Sequence, residues 1–177
     1  MIALDAYRPD QWHDFFVMVG GGAVVLTGLV FVALSLNVNV VTQDATHRYR
    51  AIDTLTAMTG IFVICAFALM GGQDHRAVGI EWLVVAAISI AVYLRGYVQA
   101  VRRGGSIAWL RRRRVIVAAV LYLTQLVGAA LLVADQIAGQ YVAAVAMVAS
   151  LTLMISGAWL LVVGVTMRES KTLDRSP

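Results

Sequence analysis

Residues 19–39 read VGGGAVVLTGLVFVALSLNVN. Three consecutive glycines, Gly20, Gly21 and Gly22, open a stretch that otherwise has the composition of a buried helix. In water, each glycine in a helix interior costs about 1 kcal/mol relative to alanine. A triplet therefore argues against a water-exposed helix. The chain is uncharged from Phe15 to Asn39, and a run of ~20 apolar residues crosses the hydrocarbon of a bilayer. Lipid changes the rule for glycine. It gives helices no hydrophobic reason to associate, and small residues let their backbones approach closely. It also offers no partner to backbone N–H and C=O groups, so a spanning segment of this kind is helical.

Four more runs have the same character. The expected spans are about 15–37, 54–72, 80–101, 115–134 and 141–167 of one transmembrane domain covering residues 1–177. The runs are continuous rather than alternating, which excludes a β-barrel. Of the 177 residues, 60% are hydrophobic and 14% charged, against about 45–50% and 25% in soluble domains. The expected fold class is all-α, an integral membrane bundle of five transmembrane helices.

Charge sets the expected orientation. With the N-terminus outside, the segments on the inner side hold eleven Arg and Lys, and those on the outer side hold Arg8 and Arg76. Basic residues favour the cytoplasmic side, so the expectation is N-outside, C-inside. The inner segment 102–114 concentrates Arg102, Arg103, Arg111, Arg112, Arg113 and Arg114. These suit contact with anionic lipid headgroups. Nucleic acid is not an expected partner, because no binding domain accompanies the patch. The segment MIALDAYRPDQWHD has three Asp and one Arg, unlike the basic start of a signal peptide.

Small residues recur at intervals of seven. Gly21, Gly28 and Ser35 form one such stripe, with Gly20 and Thr27 alongside. Ala143, Ser150, Gly157 and Gly164 form another in the fifth span. A seven-residue repeat marks a left-handed helix-packing seam. It is open whether each seam packs within one subunit or between subunits.

Polar residues inside spans point to structure or function. Arg95 lies about six residues, roughly 9 Å, from the inner end of the third span. It either snorkels to the interface or pairs with Asp53, near Asn37, Asn39 and Gln99, in a polar cluster at the inner mouth. Gln125 lies halfway along the fourth span, where an amide needs a partner. Thr56, Thr59, Ser150 and Thr152 are available, as is a polar ring lining a pore in an oligomer. Asp74, His75 and Glu81, in the outer loop, read as solvated.

Several chemistries are not expected. Cys65 is the single cysteine, so no internal disulfide or cysteine metal site is expected. His13, His47 and His75 lie outside the spans, which gives no support to intramembrane haem. No HExxH, CxxC or GxGxxG motif occurs. The chain is therefore expected not to be an enzyme, and to need no metal or cofactor.

The run FFVMVGGGAVVLTGLVFVALSLN resembles the first span of a set of small bacterial inner-membrane proteins. In these a Phe-Phe or Tyr-Phe pair precedes glycines and alanines and then LTGLxFVALSLN. The stretch GGQDHRAVGIEW is similar to that group's Gly-Gln…Gly…Glu segment. The resemblance covers the first half of the chain. It implies a bacterial inner-membrane location and defines no functional residues. The expected function is a homo-oligomeric channel or small-solute or ion path. The alternatives are a non-conducting accessory or scaffold subunit and a lipid-binding membrane protein.

Overall fold

The computed structural model describes the backbone of residues 9–36, 38, 45–102 and 108–173, and side chains within 10–36, 38, 51–99, 102 and 116–156. Among the described residues the chain forms five helices and no strand: α1 (Pro9–Leu36), α2 (Ala45–Ala68), α3 (His75–Arg102), α4 (Ala108–Val133) and α5 (Ala138–Leu173). Each contains a window long and apolar enough to cross a membrane. Only 22% to 44% of each window is buried inside the protein. The outward remainder is apolar, as at Met18, Val25, Leu29, Val84, Ile88, Leu123 and Val145. Water would penalise such a surface and lipid does not.

The helix ends follow local chemistry. Asp10 in the first turn of α1 faces the positive end of the helix dipole. The fourth helix ends in paired bonds: Gln136 N–H donates to Leu131 O (2.9 Å) and Asp135 N–H donates to Leu132 O (3.1 Å). This is a Schellman arrangement. Asp135 occupies its left-handed position with φ 61°, a conformation that aspartate tolerates better than most side chains.

Two spans are displaced from the positions expected. The second helix ends at Ala68 rather than at Gly72. Glycines at 71 and 72 form the turn instead, Gly72 with φ 79°. The third begins at His75, because Asp74 is a suitable N-cap and its carbonyl accepts from Val78 N–H (3.2 Å). Most of GGQDHRAVGIEW is thus the first turns of α3 and not a loop.

The packing is a ring with one helix added. Neighbours α2–α3, α3–α4 and α4–α5 pack along their lengths, and α5 closes back on α2. The first helix lies mainly on α2 and touches α5. The core gathers at the end where α2 meets α3. There Phe16, Val19 and Ala23 meet Ile64, Cys65, Trp82, Leu132, Ala143 and Met147. Aromatic side chains cap this end: Trp12 meets Tyr141 at 4.9 Å and Phe16 meets Trp82 at 5.8 Å between ring centroids.

Close backbone approach occurs at glycines other than the expected stripe. A Cβ on Gly139 would stand 2.6 Å from Gly128 O and 2.6 Å from Leu132 N. One on Gly128 would stand 2.8 Å from Ala143 N, and one on Gly79 3.0 Å from Val133 N. On α1, Gly20 meets Cys65, whereas Gly21 and Gly28 have nothing within 4 Å. Gly21, Gly28 and Ser35 are exposed, so this stripe does not pack within the subunit. Thr27 is half-buried and bonds back to Ala23 O (2.7 Å). Ser150 is buried and bonds to Ala146 O. The side-chain surroundings of Gly157 and Gly164 lie outside the described residues.

Gly139→Leu and Gly128→Leu are therefore expected to destabilise the bundle by at least ~1–3 kcal/mol, the cost of overpacking. Gly21→Leu and Gly28→Leu should leave monomer stability within about 0.5 kcal/mol. Thermal unfolding in a detergent that keeps the protein monomeric separates the two pairs.

Candidate functional site

Polar side chains that face the interior of the ring converge on one cavity of about 30 Å³. The second helix contributes Asp53, Ala57 and Gly60 at intervals of four and three, which places them on one face. The third contributes Ala86 and Ser89, the fourth Ala118, Tyr122 and Gln125, and the fifth Ser150 and Met154. Small residues make the space: a Cβ on Gly60 would stand 3.0 Å from Ser89 Oγ. A volume of this size holds one or two water molecules.

The cavity is asymmetric. Asp53 is the third residue of its span window, Ala51–Ala68, and so lies near the arginine-rich end of the bundle. Gly60 and Ser89 lie roughly 10 Å further in, at 1.5 Å per residue. Beyond Gln125 the bundle is closed by core residues, among them Ala129, Leu132, Met147 and Trp82.

Hydrogen-bonding capacity at this cavity is incompletely used. Gln125 is 7% exposed, and its Nε2 has no hydrogen-bond partner among the described residues. Tyr122 Oη is likewise buried without a partner. Ser89 donates to Val85 O (2.9 Å) and Ser150 to Ala146 O (2.7 Å), leaving their oxygen lone pairs for a second contact. The Tyr122 ring lies 5.8 Å from that of Tyr93, and both phenols are within electrostatic reach of Asp53. An unpaired buried donor costs about 1–3 kcal/mol. Tyr122 and Gln125 line the same cavity as Asp53.

The sequence-derived candidates divide around this site. Asp53 and Gln125 meet at the same cavity. Arg95 and Gln99 are exposed, and no ion pair joins Arg95 to Asp53 among the described residues. Of the two readings of Arg95, pairing with Asp53 is therefore not what these residues form. Asn37 and Asn39 lie outside the described residues. Gln125 turns into its own bundle. Thr59 and Thr152 are exposed, and Thr152 bonds its own helix at Val148 O. Arg102 is exposed. Arg103 lies outside the described residues, as do the side chains of Arg111, Arg112, Arg113 and Arg114. Sequence reasoning missed Tyr122, Ser89 and Gly60. The signal was available for Tyr122, three residues from Gln125 and so on the same helix face.

A separate polar set fastens the opposite end. His75 Nδ1 is 2.7 Å from Asp74 Oδ1, and its Nε2 is 3.5 Å from Asp135 Oδ1. Gln73 Nε2 donates to Glu81 Oε1 (3.0 Å). The Gln73–Glu81 bond ties the α2–α3 turn to the start of α3, and His75 lies between that turn and the α4–α5 turn. The segment read as a solvated loop is thus partly ordered by its own polar side chains.

Compared with protein-family models, curated proteins and solved structures, the chain matches none.

An apolar side chain of similar shape relieves an unpaired donor. Gln125→Met is expected to raise stability by about 1 kcal/mol, read as a higher unfolding temperature in nanodiscs. A lower unfolding temperature would show that the amide already has a structural partner.

Proposed function

We propose that the chain is a non-enzymatic, multi-pass protein of the bacterial inner membrane that provides a path for an ion or small solute, with its binding site inside each bundle. The cavity bounded by Asp53, Tyr122 and Gln125 carries this reading. An ionisable residue within a span is costly, and it characteristically marks a substrate or ion pathway. Here the carboxylate faces an internal space with two unpartnered polar groups, whereas the lipid-facing surface is apolar. The blind end of the cavity favours a site filled from one side over an open pore.

In this reading the N-terminus is outside and the C-terminus inside, following the eleven-to-two distribution of basic residues. The cavity then lies nearer the cytoplasmic face. Arg102, Arg103, Arg111, Arg112, Arg113 and Arg114 contact anionic headgroups there. The outward stripe of Gly21, Gly28 and Ser35 is where a second copy packs to form a homo-oligomer.

That stripe also favours a second reading, a non-conducting accessory subunit whose α1 docks on another membrane protein. A foreign protein recovered in fixed stoichiometry from native membranes, with no flux from the purified chain, would support it.

Flux into liposomes tests the main reading. Asp53→Asn is expected to lower the transport rate by roughly tenfold or more, equivalent to about 1.4 kcal/mol in the barrier. Wild-type protein that moves no small ion or solute above empty liposomes overturns the reading. Native mass measurement should show oligomers that Gly21→Leu and Gly28→Leu reduce to monomers. A strictly monomeric wild type rules out the assembly.

A further inference from the structure

We propose that the occupant of this cavity is a proton with bound water: Asp53 takes the proton up from the arginine-rich end, and a water molecule held by Tyr122 and Gln125 fills the closed end behind it. The proposal rests on the reading of the cavity as an ion or solute site and names its substrate.

Three observations favour a proton over a metal cation. Among the described residues, Asp53 is the only charged one lining the cavity. Gln125 Nε2 is a donor without a partner among the described residues. A metal cation accepts nothing from an N–H, whereas a water oxygen accepts from Nε2 and keeps two O–H donors of its own. The volume of about 30 Å³ suits one or two waters and no larger hydrated ion. The serine hydroxyls, which already donate to their own helices, remain acceptors for the same water.

The step is simple. Asp53 carboxylate and a hydronium ion give the carboxylic acid and water; one O–H bond forms on Asp53 and one breaks on hydronium. Among the described residues, two titratable groups from neighbouring helices lie within electrostatic reach of Asp53. Tyr93 comes from α3 and Tyr122 from α4. Among the described residues that line the cavity, the others from α2 and those from α5 are not titratable, and none comes from α1. No described basic residue forms an ion pair with it.

Infrared difference spectra of the full-length protein in nanodiscs, recorded across a pH change, test this. The expected result is a protonated-carboxyl C=O band that shifts in D₂O, is lost in Asp53→Asn and returns in Asp53→Glu. Tyr122→Phe and Gln125→Leu should each move its titration midpoint. A band that persists in Asp53→Asn overturns the proposal, as does a carboxylate that ignores pH and responds to sodium. If Asp53→Asn does not fold, unchanged midpoints in both Tyr122→Phe and Gln125→Leu overturn it equally. Liposomes assayed in parallel keep the two levels apart. Absence of all flux with the band intact sinks the transport reading and leaves the proton site standing.

Discussion

Lipid tails neither donate nor accept hydrogen bonds, so inside a bilayer every backbone amide must be satisfied by its own helix. The rest of this structure depends on that constraint. It removes strands and loops from the spans and presents the turns at the two ends. It also removes the hydrophobic drive between helices, leaving close packing and polar contacts to hold the bundle. The glycines at 79, 128 and 139 answer this directly, because backbone from a neighbouring helix stands within 3.0 Å of where their side chains would be. Dispersion at such short range replaces what water would have supplied.

The same device has opposite consequences at the two ends. Near the turns joining α2–α3 and α4–α5, small residues bring helices together and large ones, Phe16, Trp82, Leu132 and Met147, fill what remains. Towards the arginine-rich end, Ala57, Gly60, Ala86 and Ala118 line a space that no side chain fills. A bundle optimised only for stability would place leucine or methionine there. It holds instead a carboxylate, a phenol and an amide with unused hydrogen-bonding capacity. In a medium that cannot satisfy them, this arrangement costs stability, and an occupant of the kind proposed would offset the cost.

Much of the fold was legible from run length alone, since five apolar runs in lipid admit little besides five helices. The misplaced ends were local. Gly71 and Gly72 look like span residues by hydropathy, yet they form the turn, and Asp74 caps α3 earlier than the charges of Asp74, His75 and Arg76 suggested. The site was legible only in pieces. Asp53 and Gln125 stand out as polar residues in apolar runs, but their meeting depends on helix rotation. Ser89 faces the cavity. Arg95, six residues on, lies about 240° further round at 3.6 residues per turn, and so points away from Asp53. Similar depth left pairing with Asp53 open, because depth carries no phase.

The glycine triplet shows the same ambiguity more sharply. Gly20 with Thr27 and Gly21 with Gly28 satisfy the seven-residue spacing equally well, and the two stripes stand about 100° apart. Packing chooses the first: Phe16, Val19, Gly20 and Ala23 are buried together, with Gly20 against Cys65. The second stripe is left on the surface of α1, away from the cavity, whose described lining residues include none from α1. Assembly through that stripe and chemistry at Asp53 therefore use different helices. A path inside each bundle needs no symmetry axis to complete it, so a substitution that separates the subunits has no direct route to the carboxylate. The two properties, if both belong to this protein, are separable by mutation because one helix was added outside a ring of four.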